Sequence, residues 1–121
     1  MARFRISLPA QSDLAHILAT SAARWGIEGR RRYAAILTAA MRKVADEPEG
    51  AATRSRDEIS RGIRSFHLRH IHGNDPKMKV KQPAHILYYR AVAPGLIEIV
   101  RVLHERMEPN RHVGAGSEDK D

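Results

Sequence analysis

Two runs in the last third of the chain, His85-Ile-Leu-Tyr-Tyr-Arg-Ala-Val and Leu96-Ile-Glu-Ile-Val-Arg-Val-Leu-His-Glu-Arg-Met-Glu-Pro109, restrict the fold more than any other feature. Both are dense in Ile, Val, Leu and Tyr, which suit a pleated, half-buried surface. Ala93-Pro-Gly95 between them supplies turn chemistry, so an antiparallel hairpin is expected. Strict alternation puts Ile97, Ile99, Arg101 and Leu103 on one face and Glu98, Val100, Val102 and His104 on the other. A strand that is largely apolar on both faces belongs inside a sheet.

The 121 residues suit one domain, which at this size buries roughly two thirds of its unfolded surface. With no cysteine, a disulfide framework, a thiolate metal site and a Cys nucleophile are all excluded. Met1-Ala-Arg-Phe-Arg lacks the apolar stretch of a signal peptide. No run approaches the roughly 20 apolar residues of a membrane span. A cytoplasmic protein with no membrane partner is expected. Lys and Arg outnumber Asp and Glu by 21 to 14, a net charge of +7, despite an acidic end at Glu118, Asp119 and Asp121. An anionic partner is expected, although net charge alone names no target.

Arg3 to Leu8 alternates Phe4, Ile6 and Leu8 against Arg3, Arg5 and Ser7, the period of a strand that Pro9 closes. Ser12 is placed as an N-cap with Asp13 at the helix start, and Leu14, Ile17, Leu18, Ala22 and Trp25 follow at helical spacing up to Gly26. A second helix is expected over 29–47, with Tyr33, Ile36, Leu37, Ala40, Met41 and Val44 as its apolar stripe and Pro48 as its stop. A few residues join the two into a helical hairpin, with Trp25 and Tyr33 in the core. Residues 49–60 read as a loop and 62–70 as a strand. Residues 73–83 form a long basic connection, and a short helical turn is expected near 105–111.

The fold class expected is α+β in two layers: an N-terminal strand, a helical hairpin and then three antiparallel strands, the helices covering one sheet face. The other face is left to water, a partner or a substrate. The domain spans 3–112, and 113–121 form a disordered or partner-dependent tail.

The order Asp13-Leu-x-x-Ile17, Arg24-Trp-Gly26, Tyr33, Pro48, Arg61-Gly-Ile-Arg-Ser-Phe-His67, Tyr88-Tyr-Arg90 and Ile99-Val-Arg-Val-Leu-His104 resembles the ParE family of toxins across residues 3–112. Each motif alone is weak; their order and spacing together are specific. The resemblance implies a type II toxin-antitoxin module in which the toxin poisons DNA gyrase by trapping the gyrase-DNA complex and an antitoxin neutralises it. It also implies a RelE/ParE-like fold, no cofactor and no catalysis. The 73–83 connection is longer and more basic than in the shortest members.

The related RelE-type ribosome-dependent endoribonucleases offer a rival reading. Their chemistry needs a base, an acid and cations around the phosphate, for which Arg64, Arg90, Arg101 and His104 are the candidates, with Arg106 as a further cation, His67 for proton transfer, and Glu98 or Tyr88 as base. These residues are scattered over three strands and form no motif. A non-toxic antitoxin- or DNA-binding module is the third reading. His67, His70 and His72 lack a carboxylate or thiolate at a usual spacing, so no metal site is expected. Contacts to the target are expected from Lys77, Lys79 and Lys81 in the basic connection, from His104 at the end of the last strand, and from Glu105, Arg106 and Arg111 in the segment that follows it. The antitoxin is expected to be acidic and amphipathic and to meet Arg24, Arg30, Arg31 and Arg32.

Overall fold

Ser7 decides where the helical layer begins. Its extended backbone and its side-chain oxygen, which accepts from Ala10 N at 3.1 Å, make it the N-cap of α1 (Leu8–Asp46), with Pro9 in the first turn where no N–H is needed. The cap lies five residues before the expected Ser12, and β1 is correspondingly short (Arg3–Ile6). The computed structural model describes residues 2–71 and 83–114. The basic connection with Lys77, Lys79 and Lys81 therefore lies outside the described residues.

In place of two helices joined by a few residues there is one helical segment with a single non-helical residue, Gly26, at φ 74° and ψ −172°. Asp13 bonds Val102 N, and Tyr33 bonds Ala84 N beside the paired His85 and His104. A straight helix would separate residues 13 and 33 by about 30 Å, whereas Val102 and His104 are about 7 Å apart along a strand. The segment must double back at Gly26. The left-handed φ there is one that glycine alone adopts cheaply. Gly29 completes the reversal, because a Cβ at this position would lie 2.3 Å from Trp25 Cβ. Ala10 and Ile17 from the first arm, and Ile36, Leu37, Ala40 and Val44 from the second, enter one core with Phe66, Leu87, Tyr89, Ile97, Ile99 and Val102.

The sheet has five strands in the order β1-β5-β4-β3-β2. The strands are β2 (Arg54–Ser55), β3 (Arg64–His67), β4 (His85–Ala93) and β5 (Leu96–His104) with β1 at the edge. β1 runs parallel to β5, pairing Arg3 with Leu96 through Ile6 with Ile99, and the remaining pairs are antiparallel. The three antiparallel strands expected are thus part of a larger mixed sheet. β2, two residues long, is too short to show a period. β3 ends early because His67 Nδ1 accepts from Arg69 N and turns 68–70 into a 3₁₀ turn.

Strict alternation also fails on β5. Tyr88 pairs with Arg101 but Tyr89 pairs with Ile99, so Val100 is an extra residue, a β-bulge that inverts the facing of the residues beyond it. Val102 accordingly joins Ile97 and Ile99 under the helices. Leu103 and Val100 turn to the opposite face, where Ile63, Tyr88 and Val113 form a second small core with Ile59 and Ile86. That face is therefore not bare. The expected helical turn lies later than 105–111, at Asn110–Gly114, and it carries Val113, the first residue of the expected tail, to 1% exposure.

Candidate functional site

Polar groups gather at the sheet end where β3, β4 and β5 meet the second helical arm. His85 opposes His104 in the ladder, and their rings meet edge to face at 5.4 Å. Tyr33 from α1 reaches His85, hydroxyl to Nδ1 at 2.6 Å, and its oxygen also accepts from Ala84 N at 3.2 Å. That bond leaves the hydroxyl proton available for His85 Nδ1. Burial, with His104 as a second cause, lowers the His85 pKa to about 4, so this ring is neutral at pH 7 and can accept that proton. Burial likewise raises the Tyr33 hydroxyl above the ordinary tyrosine value. On the far strand His67 Nδ1 accepts from Arg69 N, which leaves Nε2 as the donor to Glu105 Oε1 at 2.7 Å. That bond, made to the ionised form, lowers the Glu105 pKa. His104 Nδ1 accepts from Arg106 N at 3.1 Å and folds the chain as it leaves β5.

His104, Glu105 and Arg106 are thus brought into one place, together with His67, His85 and Tyr33. Tyr33 does belong to the core, but as a hydrogen-bonded member of it. No spacing in the sequence relates position 33 to position 85; only the reversal at Gly26 does. Arg111 is exposed on the segment beyond β5 and bonds through its backbone to Glu108 O at 3.1 Å. Among the described residues, no group of three or more His, Asp or Glu is arranged to hold a metal ion.

The cations a nuclease needs are not gathered there. Arg101 makes a forked pair with Asp13, both contacts at 2.8 Å. Arg64 donates to Pro48 O at 3.0 Å and to Thr53 Oγ1 at 2.8 Å, tying the 48–53 loop to β3 beside the Tyr89 hydroxyl, which donates to the same Pro48 carbonyl. Arg90 and Arg5 share Glu98 on the sheet's other side. Each guanidinium is held by a different part of the fold.

A second basic locus lies at the reversal of α1. Trp25, expected in the core, is 61% exposed, and Ile27 is 62% exposed. The apolar stripe ends here because the chain folds back at Gly26. The Arg24 guanidinium lies 4.9 Å from the Trp25 ring centroid, Arg31 pairs with Glu28 at 3.1 Å, and Arg30 and Arg32 make no ion pair among the described residues. The four arginines expected to meet an antitoxin are therefore all exposed at one tip. No helix among the described residues is long and apolar enough to cross a membrane.

The sequence matches the family described as ParE toxin of type II toxin-antitoxin system, parDE, over residues 4–109. It is 32% identical over 111 residues to Toxin ParE1 of Mycobacterium tuberculosis, an alignment covering 92% of this chain and 97% of that protein. Toxin ParE1 of Caulobacter vibrioides is 29% identical over 114 residues, covering 94% of this chain and 100% of the relative. A family match across this span, with relatives aligned over nearly their whole length, places the chain in the ParE toxin family of type II toxin-antitoxin systems.

Proposed function

We propose that this chain is a toxin that inhibits DNA gyrase by binding and trapping the gyrase-DNA complex, and that a cognate acidic antitoxin neutralises it in the cytoplasm. The observation that carries the reading is the family match over 4–109, together with relatives named Toxin ParE1 that align along almost their entire length. Gyrase as target comes from what ParE toxins do in general.

Inhibition by binding, without catalysis, draws support from the arginines. RNA cleavage needs cations free to neutralise a phosphorane beside a proton-transfer pair. Arg64 and Arg101 are held in internal hydrogen bonds, while His104 accepts from the backbone of Arg106. The target contacts assigned under this reading are His104, at the end of β5, and Glu105, Arg106 and Arg111 on the segment that follows it. Lys77, Lys79 and Lys81 are assigned on their sequence alone. The antitoxin's carboxylates are assigned to Arg24, Arg30, Arg31 and Arg32, exposed cations to which a disordered acidic segment folds readily.

The test is DNA supercoiling by purified gyrase with increasing amounts of the full chain freed of antitoxin. The expected result is loss of supercoiling with accumulation of linear plasmid. Unchanged supercoiling at large excess of folded protein, with cleavage of mRNA on ribosomes, would replace this reading with the endoribonuclease one.

A further inference from the structure

Two observations at the reversal of α1 are not explained by a need to fold. The chain exposes its single tryptophan there, beside an exposed isoleucine. All four cations between 24 and 32 are arginine, set against one carboxylate, Glu28. Trp25 and Ile27 lie among these arginines, which combines apolar surface and cationic charge at one place. The position is also enforced. Gly26 at φ 74° turns the chain, and Gly29, which has no room for a side chain beside Trp25 Cβ, lets the second arm pass close behind the indole. The result is a projection on which one planar cation, Arg24, sits 4.9 Å from the ring centroid while Trp25 remains 61% exposed.

We propose that this tip binds single-stranded nucleic acid, with Arg30 and Arg32 taking phosphates and the Trp25 indole stacking on an unpaired base. Three features select an unpaired strand. Arginine's planar fork matches phosphate oxygens better than a lysine ammonium does. An aromatic face flanked by guanidinium groups is the platform on which bases stack, and it works on any base because each presents a π face. The open indole meets a base face only where the base is unpaired, since a duplex hides those faces within its own stack. A purely acidic polypeptide would satisfy the arginines but leave the indole without a role, whereas an amphipathic acidic segment such as the antitoxin would cover Trp25 and Ile27 as well. The same arginines are those assigned to the antitoxin, so antitoxin and strand would compete. Strand binding at this tip does not depend on gyrase being the target.

Because Trp25 is the only tryptophan, its fluorescence reports this locus alone. The experiment titrates the full chain, freed of antitoxin, with an oligothymidylate strand, with a duplex of equal length and with polyglutamate, and measures binding of labelled strand by anisotropy. Expected are saturable quenching by the single strand, an affinity about tenfold lower for Trp25→Ala, and near-native affinity for Trp25→Phe, which keeps an aromatic face. The Arg30→Ala/Arg32→Ala pair should make the slope of log affinity against log salt shallower by about 1.4, two phosphate contacts on a single strand. No quenching by the strand overturns the proposal, as does equal quenching by duplex or by polyglutamate, or undiminished affinity in Trp25→Ala. The wild-type titration decides the matter even if a variant fails to fold. Gyrase inhibition that persists without strand binding would overturn this inference alone.

Discussion

Asp13 and Arg101 are joined by two parallel hydrogen bonds of 2.8 Å, and Asp13 Oδ2 also accepts from Val102 N at 2.9 Å. β1 accompanies β5 only as far as Ile99 and then enters the helix at Ser7. From Val102 onward the edge of β5 has lost its strand partner, and a carboxylate from the first helical arm takes that place. One side chain thus satisfies a strand N–H, holds a guanidinium and locks helix to sheet.

Asp13→Ala should destabilise the fold by about 2–4 kcal/mol, because it strands a mostly buried guanidinium and a backbone donor together. Arg101→Ala should cost less, and the double substitution less than the sum of the singles. Urea denaturation of the three variants measures this. A loss under about 0.5 kcal/mol for Asp13→Ala would mean that the pair is ornamental.

The histidine end makes stability depend on acid. The His85 pKa is lowered to about 4 from 6.5, so between those values the unfolded chain binds a proton that the folded chain does not. Stability should therefore be fully present above about pH 6.5 and fall as pH drops toward 4. The ring is partly open to solvent, so the loss is about 1–2 kcal/mol. Glu105, its pKa lowered by His67, acts in the same direction at still lower pH. His85→Gln should flatten the upper part of this profile in melts recorded from about pH 7.5 down to about 4. An unchanged slope in that variant would assign the acid sensitivity elsewhere.

Gly26→Ala should lower stability by about 1–3 kcal/mol, although nothing lies within 4 Å of the added carbon, because φ 74° with ψ −172° is a region side chains avoid. Gly29→Ala fails for a different reason, overlap with Trp25 Cβ at 2.3 Å. Both should reduce the melting temperature, and Gly29→Ala should in addition shift Trp25 emission. Native-like melting of both variants would show that the reversal is not held by these glycines.

Val113 seals the smaller core against Ile63, Tyr88 and Leu103. Val113→Ala should cost about 1–3 kcal/mol, and a chain ending at residue 112 should lose at least as much. Thermal denaturation of the two distinguishes packing from passive coverage. If both melt with the wild type, the second core is stable without its lid.

The sequence by itself determined the helical stripes, the β4–β5 hairpin with its Pro94-Gly95 turn, and membership of the ParE family, since periodicity, turn chemistry and ordered motifs are local properties. It even flagged Gly26, but as the end of one helix before a few joining residues, because a single-residue reversal has no spacing signature. Tertiary structure decided the rest. The Val100 bulge set which β5 residues face the helices, and the parallel pairing of β1 set which donor Asp13 must satisfy. The docking of the second arm set Tyr33 on His85, and the pairing of the strands brought His67 to Glu105. Trp25 is the sharpest case: its helical spacing indicated burial, and the reversal one residue later exposed it. Such pairings join positions dozens of residues apart, and only packing of the whole chain determines which of the locally equivalent polar groups meet.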